Sequence, residues 1–270
     1  MSGADAGSLI PARPSDRFKY WFARYVRKLL RRRFHAVRVA NEGIETLREL
    51  DERTRPAIVL LNHSSWWDPL VAFFADSHFA PNRSALAPID NEQLERFGFF
   101  RRIGLFGINP DDPASLKEMR SYVLENFQAS PKTILWLTPQ GRFTDVRAPI
   151  RIRPGAANIA AGVEGVDVVS LAIEYVFWQE SRAEILMRAT PVEPPKNLST
   201  AGWQRAMTAK MQENSDALAA LSQNRDASEF TAIVGDRART SFFYDLMLRL
   251  RGKGGEIAAR RESDKETVRA

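Results

Sequence analysis

The chain alternates between short apolar runs and segments with helical periodicity. Six runs rich in apolar or β-branched residues have the length of buried strands, and polar or turn-forming residues separate them. Between them, apolar residues recur at three- and four-residue steps, which is typical of helices with one buried face. The predicted strands are 37–40, 57–61, 84–87, 133–137, 166–176 and 184–189. The predicted helices are 44–50, 70–74 (on a helix that begins at Asp68), 92–97, 113–127, 156–163, 203–221 and 240–250.

This alternation predicts an α/β fold with a mainly parallel central sheet flanked by helices. At 270 residues with 44% hydrophobic content, the chain can bury a large core as one domain. We expect that domain at residues 36–195, followed by C-terminal helices at 196–251 and a flexible charged tail at 252–270. In such sheets, functional groups collect where loops leave the carboxyl ends of the strands.

A basic amphipathic segment precedes the predicted domain, at residues 13–35. Nine basic residues stand against one acid between Arg13 and Phe34, and outside this stretch acidic residues slightly outnumber basic ones. The overall net charge of +6 therefore comes from this segment. Among these cations, six apolar residues form one predicted helical stripe: Phe18, Trp21, Phe22, Tyr25, Leu29 and Leu30.

Such a helix suits the surface of an anionic membrane, where each basic residue contributes on the order of 1 kcal/mol and the aromatic rings add apolar burial. An ordinary helix docked on the domain with a basic rim is the alternative. We expect no nucleic-acid partner, because aromatics on one face differ from a base-stacking array. The apolar runs are too short for a signal peptide or a spanning helix, so we predict a peripheral or monotopic protein at the cytoplasmic face of the membrane. Residues 1–12 are predicted to be disordered.

Several common kinds of site have no counterpart in the sequence. Without cysteine there is no disulfide, thiolate nucleophile or cysteine-based metal site. The three histidines, His35, His63 and His78, lack close ligand spacing, so we predict no metal site. The motifs Gly-x-Ser-x-Gly, the phosphate loop and Gly-x-Gly-x-x-Gly are also missing, which disfavours serine hydrolases and the common nucleotide folds.

The most informative motif is Asn-His-Ser-Ser-Trp-Trp-Asp-Pro at residues 62–69, directly after the predicted strand 57–61. A histidine at a strand end and an aspartate at the next helix start can approach each other across the loop. The Asp68 carboxylate would then orient the His63 imidazole as a general base. The alternative is structural, because Asp-Pro is a common helix opening and His63 could be an ordinary buried histidine.

A second candidate follows the predicted strand 133–137, where Thr-Pro-Gln-Gly-Arg-Phe occupies residues 138–143. Its proline and glycine predict a tight turn that lets backbone amides approach a ligand. Four arginines in the same connection could bind phosphate or carboxylate, namely Arg142, Arg147, Arg151 and Arg153. A solvated basic loop is the alternative.

Taken together, these motifs resemble the glycerophospholipid acyltransferases, of the lysophosphatidic-acid acyltransferase type, over roughly residues 37–192. His63 and Asp68 match the catalytic pair of that family. The order of the blocks along the chain also agrees with the family. The further blocks are matched by residues 104–109, by Pro139-Gln140-Gly141, by residues 168–173, and by Arg153 with Gly155.

The chain departs from the family pattern where that family is thought to bind the glycerol phosphate of its acceptor. Asn109 stands in place of the usual arginine, and Gln140 in place of the usual glutamate. Arg142 comes one residue early, so Phe143 occupies the usual arginine position, and Ser170-Leu171 replaces a proline. The resemblance therefore implies an altered acceptor site. Its predicted substrate-binding residues are Asn109, Gln140, Gly141, Arg142 and Arg153.

The resemblance implies transfer of a fatty acyl group from a thioester of coenzyme A or acyl carrier protein to a hydroxyl or amine of a lipid-like acceptor, with no further cofactor. A glycolipid, a glycosylated isoprenoid or an amino-lipid would suit a more neutral acceptor site than glycerol phosphate. A catalytically silent relative that binds lipid or a partner is the alternative. The acyl chain is expected along four aromatic residues, any of which could instead be core: Trp66, Trp67, Phe73 and Phe74.

Overall fold

The computed structural model describes residues 9–235, which form one layered α/β unit. The strands in this range are β1 Ala36–Ala40, β2 Ala57–Leu61, β3 Ser84–Asp90, β4 Leu105–Ile108, β5 Thr133–Leu137, β6 Asp167–Val176, β7 Glu184–Pro191 and β8 Phe230–Gly235. The α-helices are α1 Asp16–Arg33, α2 Asn41–Glu52, α3 Asp68–Phe79, α4 Asn91–Arg96, α5 Pro113–Ala129, α6 Gly155–Ala160 and α7 Thr200–Asn224. Two short 3-10 helices cover Gly98–Ile103 and Ala227–Glu229.

The eight described strands form one sheet in the order β4-β3-β5-β2-β6-β7-β1-β8. The five strands from β4 to β6 are mutually parallel, and β7 is parallel to β1. Only β6 with β7 and β1 with β8 pair in antiparallel fashion within this sheet. The prediction of an α/β fold with a mainly parallel central sheet is confirmed.

Helices cover both faces of the sheet, so the central strand β2 is apolar throughout. In β2, Val59 and Leu61 face a core shared with α1 and α3, whereas Ile58 and Leu60 face a core shared with α5, α6 and α7. All five residues of β2 are buried. A strand buried on both sides reads as a continuous apolar run, which is why the sequence located it well.

All six predicted strands are present with ends within three residues of the predicted ones, and two further strands were missed. β4 has four residues and contains a glycine, so its apolar run is too short to be distinctive. β8 lies within residues 196–251, for which only helices were predicted. Four of its six residues are not buried, because it is the last strand of the sheet and pairs on one side with β1.

The described residues test the predictions for the chain ends only in part. Residues 9–12 are not disordered as predicted, because Ile10 and Gly107 exchange two backbone hydrogen bonds of 3.1 and 2.7 Å. The remainder of that N-terminal prediction, at residues 1–8, lies outside the described residues. The predicted helix 240–250 and the predicted flexible tail 252–270 lie outside them as well.

Helix α1 is docked on the domain by its inner face. Val26 and Leu30 are fully buried, and the Phe22 ring meets the Phe73 ring of α3 edge-on with 5.0 Å between centroids. These contacts correspond to the docked-helix alternative. Removing α1 would therefore leave cavities in the core, because the residues that pack against Val26 and Leu30 would lose these apolar contacts.

The outer face of α1 still carries exposed aromatic residues. Tyr20, Trp21 and Tyr25 are 59%, 61% and 58% exposed, beside Arg24. The prediction of one continuous apolar stripe is wrong, because Phe22 packs inward while Trp21 and Tyr25 face solvent. No helix in residues 9–235 combines the length and the apolar character needed to cross a bilayer.

A buried carboxyl group on α3, that of Asp76, contacts residues of β5 and α1. Asp76 is 2% exposed, accepts a hydrogen bond of 3.0 Å from the indole of Trp136, and lies 4.0 Å from the ammonium of Lys19. Burial raises the pKa of Asp76 from 3.8 to about 6, and the Lys19 charge opposes only part of that rise. The folded protein therefore binds this proton more tightly than the unfolded chain does.

We predict that Asp76 makes stability fall as the pH rises. The stabilisation by protonated Asp76 is complete below the pKa of 3.8 that the carboxyl has in the unfolded chain. It is lost as the pH rises through the folded-state pKa of about 6. Relative to Asp76→Asn, which can still accept from Trp136, the wild-type free energy of unfolding should drop by roughly 1–3 kcal/mol between pH 4 and pH 7. Urea unfolding of both proteins across this range measures it, with Asp16→Asn as an exposed control. Parallel stability curves for wild type and Asp76→Asn would contradict the prediction.

Candidate active site

Loops that follow the parallel strands meet at one edge of the sheet, which we term the carboxyl edge. His63 follows β2, Asn109 follows β4 and Gln140 lies in the turn after β5. Tyr175 lies near the end of β6, which is the other neighbour of β2. The parallel order of these strands thus brings together residues that are far apart in the sequence.

His63 and Asp68 are in direct contact at this edge. The imidazole Nδ1 lies 2.9 Å from Asp68 Oδ2. Asp68 is fully buried, while the His63 side chain is 16% exposed. The buried Asp68 carboxylate therefore orients the imidazole from the interior of the protein, and the imidazole itself is partly exposed at the surface.

The Asp68 carboxylate orders the loop around the imidazole. Its Oδ2 accepts backbone N–H groups of Ser64 and Ser65, both at 2.8 Å. These donors belong to the loop before α3, and Trp67 occupies the capping position of that helix without a side-chain cap. The contacts thus differ from those of a plain helix cap, which would accept amides of the first helical turn.

Tyr175 is a site residue that the sequence analysis missed. Its hydroxyl donates to Asp68 Oδ1 at 2.6 Å, on the oxygen that His63 does not use. Burial raises the pKa of the Tyr175 hydroxyl, and the adjacent Asp68 carboxylate raises it further, so the group stays a proton donor. Its position two residues after the fourth motif block was visible in the sequence, but its partner was not.

The main chain of His63 is held from several sides. Gln140 Oε1 accepts the His63 N–H at 2.9 Å, and Thr144 donates its backbone N–H to the His63 carbonyl at 2.8 Å. The preceding Asn62 exchanges two hydrogen bonds with the backbone of Ile173 in β6, at 2.9 and 2.7 Å. The backbone around His63 is therefore held by residues on or directly after β2, β5 and β6, which favours a preorganised position of the imidazole.

An aromatic ring covers part of the imidazole. The Phe143 ring lies 4.2 Å from the His63 ring, centroid to centroid, with 33° between their planes. Within residues 9–235, Nε2 of His63 has no hydrogen-bond partner. The one ring nitrogen available for a substrate proton thus sits beside an aromatic wall at the surface.

The turn after β5 is connected to the loop after β4 through Arg153. Gly141 has φ +66°, which favours glycine, and a Cβ added there would lie 2.7 Å from Arg153 Nε. Arg153 donates to the Pro110 carbonyl at 2.9 Å and lies 3.6 Å from an Asp111 oxygen. Asn109 Oδ1 accepts the Asp111 N–H at 3.2 Å. Arg153 and Asn109, two of the five predicted substrate-binding residues, therefore make side-chain contacts within the protein.

Two of the four arginines in this connection have unengaged guanidinium groups. Arg142 and Arg151 are exposed and have no side-chain partner among the described residues. Together with Gln140 and Thr144, which both bond to the His63 backbone, they line a pocket of about 210 Å³. Arg147, by contrast, pairs with Asp145 at 3.0 Å. The pocket thus carries two cations without a protein partner among the described residues.

The four aromatics expected to line an acyl chain do not share one environment. Trp66 is 73% exposed, whereas Phe73 and Phe74 are 8% and 2% exposed and belong to the core beneath α1. Trp67 is partly buried and packs edge-on against Phe34 with 5.0 Å between centroids. Of these four, only Trp66 presents a largely open surface, since the packing of α1 on α3 covers the two phenylalanines.

Within residues 9–235 these groups have the arrangement of a general base. A buried carboxylate contacts Nδ1, a tyrosine hydroxyl donates to the second carboxylate oxygen, and Nε2 has no hydrogen-bond partner among these residues. Such a pair can take a proton from a hydroxyl or amine as it attacks a carbonyl carbon.

Comparisons with known proteins identify the family and the fold of this chain. A family model described as Acyltransferase matches residues 38–174, just over half of the chain, including the site around His63 and Asp68. The fold is similar to the crystal structure of PlsC, a 1-acyl-sn-glycerophosphate (LPA) acyltransferase from Thermotoga maritima, with a TM-score of 0.53. The two share 16% sequence identity, over 75% of this chain and 81% of that chain. A comparison with curated proteins finds no match.

Proposed function

This chain belongs to the acyltransferase family, and from that premise we propose that it moves a fatty acyl group from an acyl thioester to a hydroxyl or amine of a lipid acceptor. The observation that carries the proposal is the 2.9 Å contact between His63 Nδ1 and the buried Asp68, with Nε2 left open. The donor is a thioester of coenzyme A or acyl carrier protein. The similarity to PlsC supports a phospholipid-like acceptor class.

The proposed reaction is a direct transfer. The acceptor oxygen or nitrogen attacks the thioester carbonyl carbon while Nε2 of His63 accepts its proton. The carbon–sulfur bond then breaks, and the imidazolium returns the proton to the leaving thiolate. The products are an ester or amide and a free thiol. Asp68 holds the ring and stabilises the imidazolium during the step.

The test is acyl transfer by the purified protein with a labelled acyl thioester and a panel of acceptors. We expect ester or amide formation matched by release of one thiol per acyl group. Lipid profiling of cells with and without the protein would identify the natural acceptor and the acyl length together. Thioester hydrolysis without any acylated acceptor would contradict the transfer reaction.

We further propose that the acceptor head group is more neutral than glycerol phosphate. Asn109, Gln140 and Arg153 all have polar atoms engaged within the protein, which leaves Arg142 and Arg151 as the open charges in the pocket. Relative to the family pattern the site lacks the arginine at Asn109, and a glycolipid, a glycosylated isoprenoid or an amino-lipid acceptor fits that loss of charge. Acylation of lysophosphatidic acid in preference to every neutral acceptor in the panel would refute it.

Tyr175→Phe should lower kcat roughly tenfold and leave KM for the thioester nearly unchanged. Without the hydroxyl, one oxygen of the buried Asp68 loses its hydrogen bond, and the acid then positions the imidazole less firmly. Steady-state kinetics on both proteins separates the two constants. Tyr122→Phe is a matched control, because the Tyr122 hydroxyl accepts the Ala12 N–H away from this edge. A change confined to KM would mean that Tyr175 contacts substrate instead.

We also propose that α1 binds an anionic membrane surface through its outer face. Trp21→Ser with Tyr25→Ser should weaken binding to vesicles containing phosphatidylglycerol by at least about tenfold, because two large exposed rings no longer insert. Vesicle flotation measures this without removing the buried inner face of the helix. Leu116→Ser with Leu198→Ser is the control, since both leucines are exposed elsewhere. Equal binding by all three proteins would refute a membrane role for α1.

A further inference from the structure

The ring of Phe143 lies directly against the ring of the proposed base. The two centroids are 4.2 Å apart and the two planes differ by 33°, which is a close, tilted stacking geometry. Within residues 9–235 this is the only ring contact that Phe143 makes. Phe143 is also 57% exposed, so it does not contribute to the core as a buried phenylalanine would. Its main described neighbour is therefore the imidazole of His63.

Backbone hydrogen bonds on both sides of Phe143 hold this contact in place. Two residues earlier, the Gly141 N–H donates to the Thr138 carbonyl at 3.0 Å. One residue later, the Thr144 N–H donates to the carbonyl of His63 itself at 2.8 Å. The segment that carries the phenyl ring is thus tied to the backbone that carries the imidazole. The ring contact is therefore preorganised, although the phenyl ring is at the surface.

This contact bears on the charge that His63 acquires during the proposed reaction. When Nε2 accepts the proton of the acceptor, the neutral imidazole becomes a cation. Asp68 meets that charge in the plane of the ring, at Nδ1. The face of a phenyl ring carries partial negative charge and attracts a cation within about 6 Å of its centroid. At 4.2 Å, Phe143 meets this condition from outside the imidazole plane.

The other ionisable groups of the site act on the imidazole differently. Tyr175 reaches it only through the second oxygen of Asp68. Arg142 and Arg151 line the adjoining pocket without a side-chain partner among the described residues, and as cations they can only oppose a positive charge on the imidazole. Beside the Asp68 carboxylate, the face of Phe143 is therefore the described group in contact with the imidazole that favours the cation.

We infer that the ring face of Phe143 stabilises the imidazolium of His63 as it forms, and so speeds the proton transfer. This inference rests on the proposed function and adds to it a residue that acts through His63. The alternative is an apolar cover, in which the ring only shields the imidazole from water. The two differ in what they require of the side chain: a cover requires size, whereas stabilisation of a cation requires negative charge on the ring face.

The test replaces Phe143 in the full-length protein by phenylalanines with one, two or three ring fluorines, which weaken the charge on the ring face and nearly keep its shape. We expect kcat to fall with each added fluorine, by roughly three- to tenfold over the series, while KM for the thioester stays nearly unchanged. Phe143→Leu keeps an apolar cover and should fall at least as far. Phe177→Leu is the matched control and should keep the wild-type kcat, because Phe177 is 65% exposed after β6 and has no ring contact within residues 9–235.

A second measurement does not depend on turnover. The fraction of His63 in the imidazolium form, read from the NMR signals of its ring at one fixed acidic pH, should be lower in Phe143→Leu than in the wild type. Equal fractions, or a kcat indifferent to fluorination, would overturn the inference and leave the ring as a cover. So would an equal fall in Phe177→Leu, or a change confined to KM. A lower imidazolium fraction in a protein without acyl-transfer activity would sustain the ring contact and refute the proposed function separately.

Discussion

Replacing His63 by alanine is expected to reduce acyl transfer from a thioester by roughly 10²–10⁴-fold, because the step loses its general base. The loss should fall on kcat, since the pocket beside Gln140, Arg142 and Arg151 remains. Purified protein, a labelled acyl thioester and an identified acceptor suffice for the measurement. The variant should remain folded, because the His63 side chain is partly exposed and its backbone contacts do not depend on the ring.

The matched control for this change is His78→Ala. His78 lies on the same helix as Asp68, almost three turns further on, and stacks on Phe74 with 5.7 Å between centroids. Its loss should affect stability more than turnover. Full activity in His63→Ala would remove the imidazole from the mechanism. An equal fall in both variants would point to a general loss of structure.

Asp68→Asn should lower kcat on the order of 10³–10⁴-fold while keeping the geometry of the site. The asparagine oxygen can still accept from Ser64, Ser65 and His63, and its amide group can donate to the Tyr175 hydroxyl, which then becomes the acceptor. What disappears is the negative charge that stabilises the imidazolium. We expect unfolding free energy to fall by about 1–3 kcal/mol as charge-assisted hydrogen bonds become neutral ones.

The control for this second change is Asp76→Asn. Asp76 is also a buried acid on α3 that accepts a hydrogen bond from an aromatic side chain, but its partner Trp136 lies in the core. That variant should keep turnover near the wild-type value. If Asp68→Asn retained wild-type kcat, the acid would be a structural feature of the loop, and His63 would act without it.

A double variant tests how the two site residues act together. In Asp68→Asn the tyrosine hydroxyl no longer faces a charge, so adding Tyr175→Phe should cost much less activity than it does in the wild-type background. The kcat values of the wild type, the two single variants and the double variant give the coupling free energy between Asp68 and Tyr175. Additive losses would show that Tyr175 acts through some group other than Asp68.

The sequence determined the class of fold because the central strands are buried on both faces. Strand β2 is an unbroken apolar run and β5 is apolar after Thr133, and the spacing of such strands along the chain predicted the mainly parallel sheet. The sequence failed for β8, whose place at the edge of the sheet is fixed by pairing with β1, almost two hundred residues away along the chain. The family was also readable, because its motif blocks are short local patterns in a fixed order.

Tertiary structure alone decided the contacts between residues distant in sequence. Local spacing placed His63 near Asp68, but the Tyr175 hydroxyl reaches that acid only because β6 pairs with β2. Packing also decided which aromatic residues face water, since α1 covers Phe73 while Trp66 remains open. A periodic pattern records which side of a helix is apolar; which neighbour covers that side depends on the whole arrangement of the chain.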